Sequence, residues 1–230
     1  MADPIQIYYG ARQTVLEMMR DRYYTVPESL FQLTEKEFEI LFEKRQMDLT
    51  GIIDTEGKPV YVKMIEPTRL FSKKSDFSNV FKEVARYFNA NGMSDIDNES
   101  DLELALNGGL VRLIIVYNSR QARQLRTNHE TYITHSHIEV YQVHNINISP
   151  KESKYQPQFR LITDPSEISA IYRRYNCKPI MIPSICIDDP INRYYGGRPA
   201  EKGKLAHLYE IDRGGTNISY RKVVAKRMNN

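Results

Sequence analysis

The sequence predicts a mixed α/β (α+β) protein of two small domains, and three observations support this prediction. Segments with a helical spacing of apolar residues alternate with short β-branched runs along the 230 residues. A polar stretch at residues 145–158, which holds Pro150 and Pro157, interrupts that alternation. The net charge changes sign across it, from −4 over residues 1–148 to +7 over residues 149–230. We therefore predict domains at 1–148 and 149–230.

In the first domain, capping signals indicate where helices begin. Asp3 stands before Pro4, and a carboxylate N-cap followed by proline commonly opens a helix. Thr34 and Glu37 have the spacing of a capping box, in which each side chain binds the backbone amide of the other residue. A third amphipathic helix is predicted over residues 77–88, where apolar residues recur at helical spacing.

The remaining segments of the first domain have the composition of strands and loops. Residues 49–65 are rich in β-branched side chains on both sides of a turn signal at 55–58, which predicts a hairpin. An almost continuous apolar run at 110–117 predicts a largely buried strand, and a second strand is predicted at 138–143. The acidic residues 94–101 are interpreted as a loop.

The second domain shows the signals of a small α+β unit with a mixed sheet. Asp164 is predicted to cap a helix whose apolar residues recur at helical spacing. Asp189 and Pro190 are predicted to open a short helix that Gly196 and Gly197 end. Residues 179–187 are interpreted as an extended apolar segment, and residues 205–211 and 217–224 are predicted to form the two arms of a hairpin.

Composition and cysteine usage exclude several classes of protein. Hydrophobic residues make up 41% and charged residues 27% of the chain, which is typical of a globular protein rather than a disordered one. Cys177 and Cys186 lie among apolar residues, which favours reduced, buried thiols over a disulfide framework or a zinc site. No basic stretch followed by an apolar one opens the chain, and no run approaches the roughly 20 apolar residues that cross a bilayer. We therefore expect a soluble intracellular protein without a signal peptide or membrane contact.

The candidate catalytic and metal-binding residues do not form a recognisable motif. Histidines cluster within residues 129–144, but no Cys, Asp or Glu recurs beside them at ligand spacing, so structural or surface roles are favoured. Asp188 and Asp189 could serve acid–base or magnesium chemistry, although Pro190 after them favours a helix cap. A nuclease that uses Asp188, Asp189 and His207 stays as one alternative. We expect no metal, no cofactor and no small-molecule substrate.

Three arginines form a basic ridge in the otherwise acidic first domain. Arg120, Arg123 and Arg126 recur at three-residue steps, so on a helix they would project from one face. The ridge is either a solvated helix face or a surface that contacts the phosphates of a duplex. In the second case, binding weakens with salt at a slope of about −0.9 per phosphate neutralised.

Several motifs follow one another in the second half of the chain. They are FRLITDPSEISAIYRRYN at 159–176, Met181-Ile182-Pro183, DDPINRYYGG at 188–197 and GGTNISYRKVV at 214–224. In this order they resemble the C-terminal domain of the fifth shared subunit of the nuclear RNA polymerases, a family with archaeal members. ARQTVLEMMRDRYYTV at 11–26 is similar to the first helix and turn of that family. Archaeal versions have only the C-terminal part, so the resemblance implies the two-domain form of eukaryotes or of large DNA viruses.

The resemblance implies a separate role for each domain. A jaw-like α/β domain at the N-terminus lies near downstream DNA, and a small α+β assembly domain with a mixed sheet docks on the largest polymerase subunit. Neither domain performs chemistry. The residues that shape or line the docking surface are then Asp189, Pro190, Tyr194, Gly196, Gly197, Tyr220 and Arg221. The residues nearest to DNA are Arg120, Arg123 and Arg126.

The resemblance thus implies a non-catalytic subunit of a multisubunit DNA-dependent RNA polymerase that acts in transcription. Its implied partners are the largest subunit, neighbouring subunits and, weakly and without sequence specificity, downstream duplex DNA. The implied location is that of the transcription machinery, which is the nucleus, or the virion or cytoplasmic viral factory for a viral chain. The alternative from the residues alone is a free-standing duplex DNA-binding protein that uses the basic helix face.

Overall fold

The computed structural model describes residues 3–67, 74–118, 137–152, 158–162, 164–186, 189–196, 207–211 and 218–224. The chain divides into two compact units, Met1–Ile148 and Ser149–Asn230. Within the described residues, each unit has helices and a four-stranded mixed sheet. The α+β fold class predicted from the sequence is therefore confirmed.

In the described residues, the first unit is a mixed sheet with two α-helices before its first pair of strands and two α-helices between its two pairs of strands. Its described elements are α1 (Pro4–Asp21), α2 (Glu35–Glu43), β1 (Leu49–Ile53), β2 (Pro59–Met64), α3 (Lys74–Ala90), α4 (Glu99–Asn107), β3 (Arg112–Tyr117), β4 (Ile138–Gln142) and the short α5 (Val143–Ile146). The strand order is β1-β2-β3-β4, in which β1 and β2 form the predicted antiparallel pair and β3 runs parallel to both of its neighbours. Parallel strands need a long crossover, and α3 and α4 supply it between β2 and β3.

The central strand β3 is buried on both faces of the sheet. Leu113 and Ile115 pack with Phe81 of α3 in one apolar cluster. Ile114 and Val116 are also buried, and they face the opposite side because successive residues of a strand alternate. Burial on both faces explains why β3 is an almost continuous apolar run rather than an alternating one.

Hydrogen bonds at the N-caps confirm the predicted starts of α1 and α2. The Asp3 carboxylate accepts a hydrogen bond from the backbone N–H of Ile5 at 3.0 Å, and Pro4 occupies the first helical position. The Thr34 hydroxyl accepts from the Glu37 backbone N–H at 3.3 Å, and the Thr34 N–H donates to the Glu37 carboxylate at 2.8 Å. Both motifs involve neighbours in sequence only, which is why the sequence was sufficient to predict them.

The acidic segment at residues 94–101 is not a loop throughout, contrary to the prediction from its composition. The helix α4 begins at Glu99, because the Asn98 side chain accepts hydrogen bonds from the backbone N–H groups of Ser100 and Asp101 at 2.8 and 3.1 Å. The prediction was wrong for the last three residues. Acidic side chains, which suggested a loop, are equally favourable in the first turn of a helix.

The second unit is a smaller mixed sheet with two short helices among its described residues. Its elements are β5 (Gln158–Ile162), α6 (Pro165–Arg174), β6 (Ser184–Cys186), α7 (Pro190–Tyr194), β7 (His207–Ile211) and β8 (Ile218–Val224), with 3-10 turns at Pro150–Glu152 and Pro179–Met181. The strand order is β5-β7-β8-β6. The strands β7 and β8 pair in the antiparallel way that the hairpin prediction requires, and β6 runs parallel to β8.

The apolar segment predicted to be extended over residues 179–187 is only partly extended. Its first residues form the 3-10 turn, in which the backbone N–H of Met181 donates to the Lys178 carbonyl at 2.9 Å. Pairing begins only with β6, three residues further on. Proline fixes φ near −65°, which suits a 3-10 turn as well as a strand, so Pro179 did not distinguish the two from sequence.

Two expectations from composition concern the cysteines and the membrane. Cys177 and Cys186 are free thiols, and both are half-buried rather than buried. In the part of the chain that the structure describes, no helix combines the length and the apolar character of a membrane span.

Candidate partner-docking surface

The helix α7 and the turn after it carry several of the residues that the resemblance assigns to docking. The Asp189 carboxylate caps α7 by accepting a hydrogen bond from the Ile191 N–H at 3.1 Å. Pro190 follows at the first helical position and is exposed. Gly196 comes after the C-cap with a φ of +86°, a left-handed conformation that favours glycine. These residues determine where α7 begins and ends, so the predicted short, capped helix is confirmed.

Tyr194, another residue assigned to docking, lies in the interior of the second unit. Its side chain is 2% exposed, and its ring meets that of Tyr195 edge to face at 5.2 Å between centroids. Tyr195 in turn stacks on Phe159 of β5 at 4.9 Å. Tyr194 can therefore shape a docking surface through packing, but it offers a partner almost no area of its own.

Tyr220 and Arg221 are half-buried on β8. The Tyr220 ring lies 5.6 Å from that of Tyr175, which follows the last residue of α6. The strand β8, which carries Tyr220, also pairs with β7 through residues 218–222. Tyr220 thus links the hairpin to the C-terminal end of α6. Gly197, the remaining residue assigned to docking, lies outside the described residues.

A group of strongly exposed apolar side chains lies between α6 and β6, in a region that we call the 175–183 surface. Tyr175, Ile180 and Met181 are 50%, 84% and 66% exposed. None of these three side chains was assigned to docking from the sequence. The signal that could have found them is the run at residues 168–187, which is rich in apolar residues and contains no acidic one.

Three cations border the 175–183 surface. Arg173 and Arg174 are exposed at the end of α6, and Lys178 is exposed just before the 3-10 turn. The Arg174 guanidinium lies 5.8 Å from the centroid of the Tyr175 ring. Within the described ranges, none of the three cations pairs with a carboxylate. The surface therefore combines apolar area with uncompensated positive charge, which are features of a protein interface.

In the first unit, a buried ion pair fastens α1 to β4. Arg22 donates hydrogen bonds to the two carboxylate oxygens of Glu139 at 2.8 and 2.9 Å and to the Tyr141 hydroxyl at 3.1 Å. The Tyr141 hydroxyl donates to Glu139 at 2.6 Å. Burial on its own lowers the pKa of Arg22, but the Glu139 carboxylate together with Tyr141 and Tyr24 outweighs burial, and the pKa is raised overall. The arrangement is that of a structural clamp.

A second buried charge cluster lies at the turn between β1 and β2. The Asp54 carboxylate accepts hydrogen bonds from the backbone N–H groups of Glu56 and Lys58, each at 2.8 Å, and from Arg112. Nη1 of Arg112 also lies 3.0 Å from Nδ1 of His137. Burial acts to raise the pKa of Asp54, but the hydrogen bonds, that of Arg112 first, lower it overall. This cluster joins the turn to β3 and gives His137 a structural role.

Several other candidates from the sequence lie outside the described residues. They are Asp188, His129, His135, Arg120, Arg123 and Arg126. His207 begins β7. Among the described residues, no group of three or more His, Cys, Asp or Glu side chains could hold a metal ion. The nuclease alternative and the arginine ridge therefore rest on sequence alone.

Comparison with known proteins gives two relatives and no match to a protein-family model. The chain is 22% identical to "DNA-directed RNA polymerases IV and V subunit 5B" of Arabidopsis thaliana over 217 residues, which are 93% of this chain and 88% of the plant protein. It is 27% identical to "DNA-directed RNA polymerase subunit 5" of Acanthamoeba polyphaga mimivirus over 96 residues, which are 41% of this chain and 45% of the viral protein. The plant alignment includes both units. Both relatives are thus named as subunit 5 of a DNA-directed RNA polymerase, and the similarity to the plant protein extends over most of the chain.

Proposed function

We propose that the chain is a non-catalytic subunit of a multisubunit DNA-dependent RNA polymerase and acts in transcription. The observation that carries the proposal is the similarity to the plant subunit 5B over 93% of the chain, because an alignment of that length includes both units rather than one shared module. The viral relative bears the same subunit number. The similarity to a mimivirus protein also favours a large DNA virus or its eukaryotic host as the source.

In this proposal the second unit docks on the largest polymerase subunit. Its support is the α7 region, where Asp189, Pro190 and Gly196 hold a short helix and a tight turn in a defined conformation. A rigid surface binds with a smaller loss of conformational entropy than a mobile one. The net charge of +7 on residues 149–230 adds attraction toward an acidic partner surface.

The first unit is proposed to act as a jaw beside downstream duplex DNA. Its net charge is −4, so a general attraction to DNA is not expected of it. Contact with phosphates would then depend on the local ridge of Arg120, Arg123 and Arg126. Because such contacts carry no sequence information, the jaw would hold DNA without selecting a sequence.

Co-purification tests the docking proposal. An affinity-tagged full chain is co-expressed with the polymerase and captured. The captured material is washed with salt, and the proteins that stay bound are identified by mass spectrometry. The largest polymerase subunit should be retained, and less of it by Asp189→Ala, because α7 loses its cap. Asp189→Asn keeps an acceptor at the N-cap and serves as the matched control. A wild-type chain that retains no polymerase subunit would end the proposal.

Salt dependence tests the jaw and separates it from the free-standing DNA-binding alternative. Replacement of Arg120, Arg123 and Arg126 by Ala should make the slope of log affinity against log salt less negative by up to about 2.7, at about 0.9 per phosphate. Replacement of Arg173 and Arg174, in the second unit, should leave the slope unchanged. If the wild type, the variant of Arg120, Arg123 and Arg126 and the variant of Arg173 and Arg174 all have the same slope, the ridge has no part in DNA binding. Tight duplex binding without polymerase retention would favour the free-standing protein.

A further inference from the structure

The exposed side chains of the 175–183 surface are presented by a stiff segment rather than by a flexible one. Within the turn that follows α6, the Cys177 N–H donates to the Tyr172 carbonyl at 3.1 Å, and the Met181 N–H donates to the Lys178 carbonyl at 2.9 Å. Proline residues at 179 and 183 restrict the backbone further. These two hydrogen bonds and the two prolines therefore hold Ile180 and Met181 exposed to solvent. Exposed apolar groups that are contiguous and held in place are typical of an interaction site.

The charged side chains within the segment that forms this surface all have one sign. No Asp or Glu occurs from residue 168 to residue 187, and the three exposed cations are Arg173, Arg174 and Lys178. In the described part of the chain these cations have no carboxylate partner. Exposed charges that steer association and choose a partner are arranged in this way, with the neutralising charge on the other molecule.

The combination of groups favours a protein over a duplex as the occupant. Phosphates would engage the cations but would leave Ile180 and Met181 in water, because a DNA backbone offers those side chains no apolar surface. A protein segment with carboxylates beside apolar side chains satisfies both parts of the surface at once. At such interfaces apolar groups supply the buried centre and charges occupy the rim.

We propose that the 175–183 surface binds an acidic segment with apolar side chains on another subunit of the polymerase. This inference rests on the proposed function and adds the contact itself. Ile180 and Met181 are the apolar contacts, and Lys178 and the two arginines pair with the carboxylates of that segment. The residues of α7 then shape the docking surface, and the end of α6 adds the contact with the acidic segment.

Zero-length crosslinking tests the predicted carboxylate partner in the intact polymerase. A carbodiimide joins a lysine amine to a carboxylate in direct contact, so a crosslinked peptide should connect Lys178 to an Asp or Glu of another subunit. Lys178→Arg is the matched control: it keeps the positive charge and should keep assembly, but its guanidinium does not form the amide. An intact complex in which Lys178 forms no crosslink to another subunit would overturn the inference.

Co-purification of substituted full chains tests the apolar contacts. Ile180→Asp with Met181→Asp should reduce retention of the largest polymerase subunit at least tenfold, with an unchanged Tm because both side chains are exposed. Ile40→Asp makes the same change at a half-exposed position of the first unit and should retain the polymerase.

The outcomes separate this inference from the proposed function. If the wild type retains polymerase and the double variant does so equally, the inference fails and the proposed function stands. If the wild type retains none, both fail. If the double variant keeps polymerase but loses binding to a DNA duplex or to vesicles of phosphatidylserine, the surface serves one of those ligands and the inference is overturned.

Discussion

The two units differ in how their charged side chains are paired. The first unit buries Phe38, Phe81 and Val84 completely and pairs the buried Arg22 with Glu139 inside the fold. Among the residues whose burial the structure describes, the second unit has fewer buried apolar side chains, as expected of a smaller unit. Its exposed Ile180 lies in a segment whose cations, Arg173, Arg174 and Lys178, have no carboxylate partner among the described residues. The buried ion pair of the first unit is therefore completed inside the fold, whereas the cations near Ile180 are, under the proposal above, completed by a partner.

The largest expected effect comes from a cavity in the core of the first unit. Phe81→Ala should lower the free energy of unfolding by about 3–5 kcal/mol, because Phe81 is fully buried among other apolar side chains. If the units are independent, hydrogen exchange followed by mass spectrometry should show faster exchange in β3 and unchanged exchange in β8. Ile162→Ala in the second unit is the reciprocal control. Faster exchange of both sheets in either variant would mean that they unfold together, which would break the comparison.

Removal of a buried cation from its partner should have the next largest effect. Arg22→Met leaves the Glu139 carboxylate without its bidentate partner and should cost about 3 kcal/mol in chemical denaturation. Lys178→Met removes an exposed cation of the second unit, and we expect the same measurement to show no change. A loss of stability in Lys178→Met would show that Lys178 contributes to the packing of the second unit, as Arg160 does through its ion pair with Glu167.

The Asp54 cluster should make the first unit sensitive to acid. The pKa of Asp54 in the folded state lies below its usual value. The ionised carboxylate therefore contributes to the free energy of unfolding above about pH 4, and this contribution is lost as the pH falls through the folded-state pKa. Asp54→Asn should therefore cost about 2 kcal/mol at pH 7, through the charge-assisted hydrogen bonds, and less at pH 3. Denaturation at the two pH values measures the difference. An equal loss at both would contradict an ionised Asp54 in the folded state.

Arg12 differs from the other buried charges of the first unit because its Nη1 has no partner among the described residues. Its replacement should change the free energy of unfolding least, and should raise it. Arg12 is 3% exposed, and burial lowers its pKa. Arg12→Met removes an uncompensated buried charge and should raise the free energy of unfolding by about 1 kcal/mol in chemical denaturation. A loss comparable to that of Arg22→Met would show that Arg12 has a partner of similar strength.

Features that depend on neighbours in sequence were predicted correctly. The caps at Asp3, Thr34 and Asp189 and the antiparallel pair of β1 and β2 were read from local residue types and are present. The start of α4 was missed because Asn98 lies in an acidic run that also suits a loop. For the docking site, sequence similarity selected the α7 residues, but it gave no information on which side chains are exposed.

The helix starts, the α+β class and the opposite charges of the two halves follow from residue type and short-range spacing, so the amino-acid sequence was sufficient to predict them. The folded structure was needed to show that Arg22 meets Glu139, 117 positions away, and that Asp54 meets Arg112, 58 positions away. It also decided that Tyr194 is buried while Ile180 is exposed, although both are large and largely apolar. Burial and long-range pairing are properties of the packed chain, and no local pattern of residues contains them.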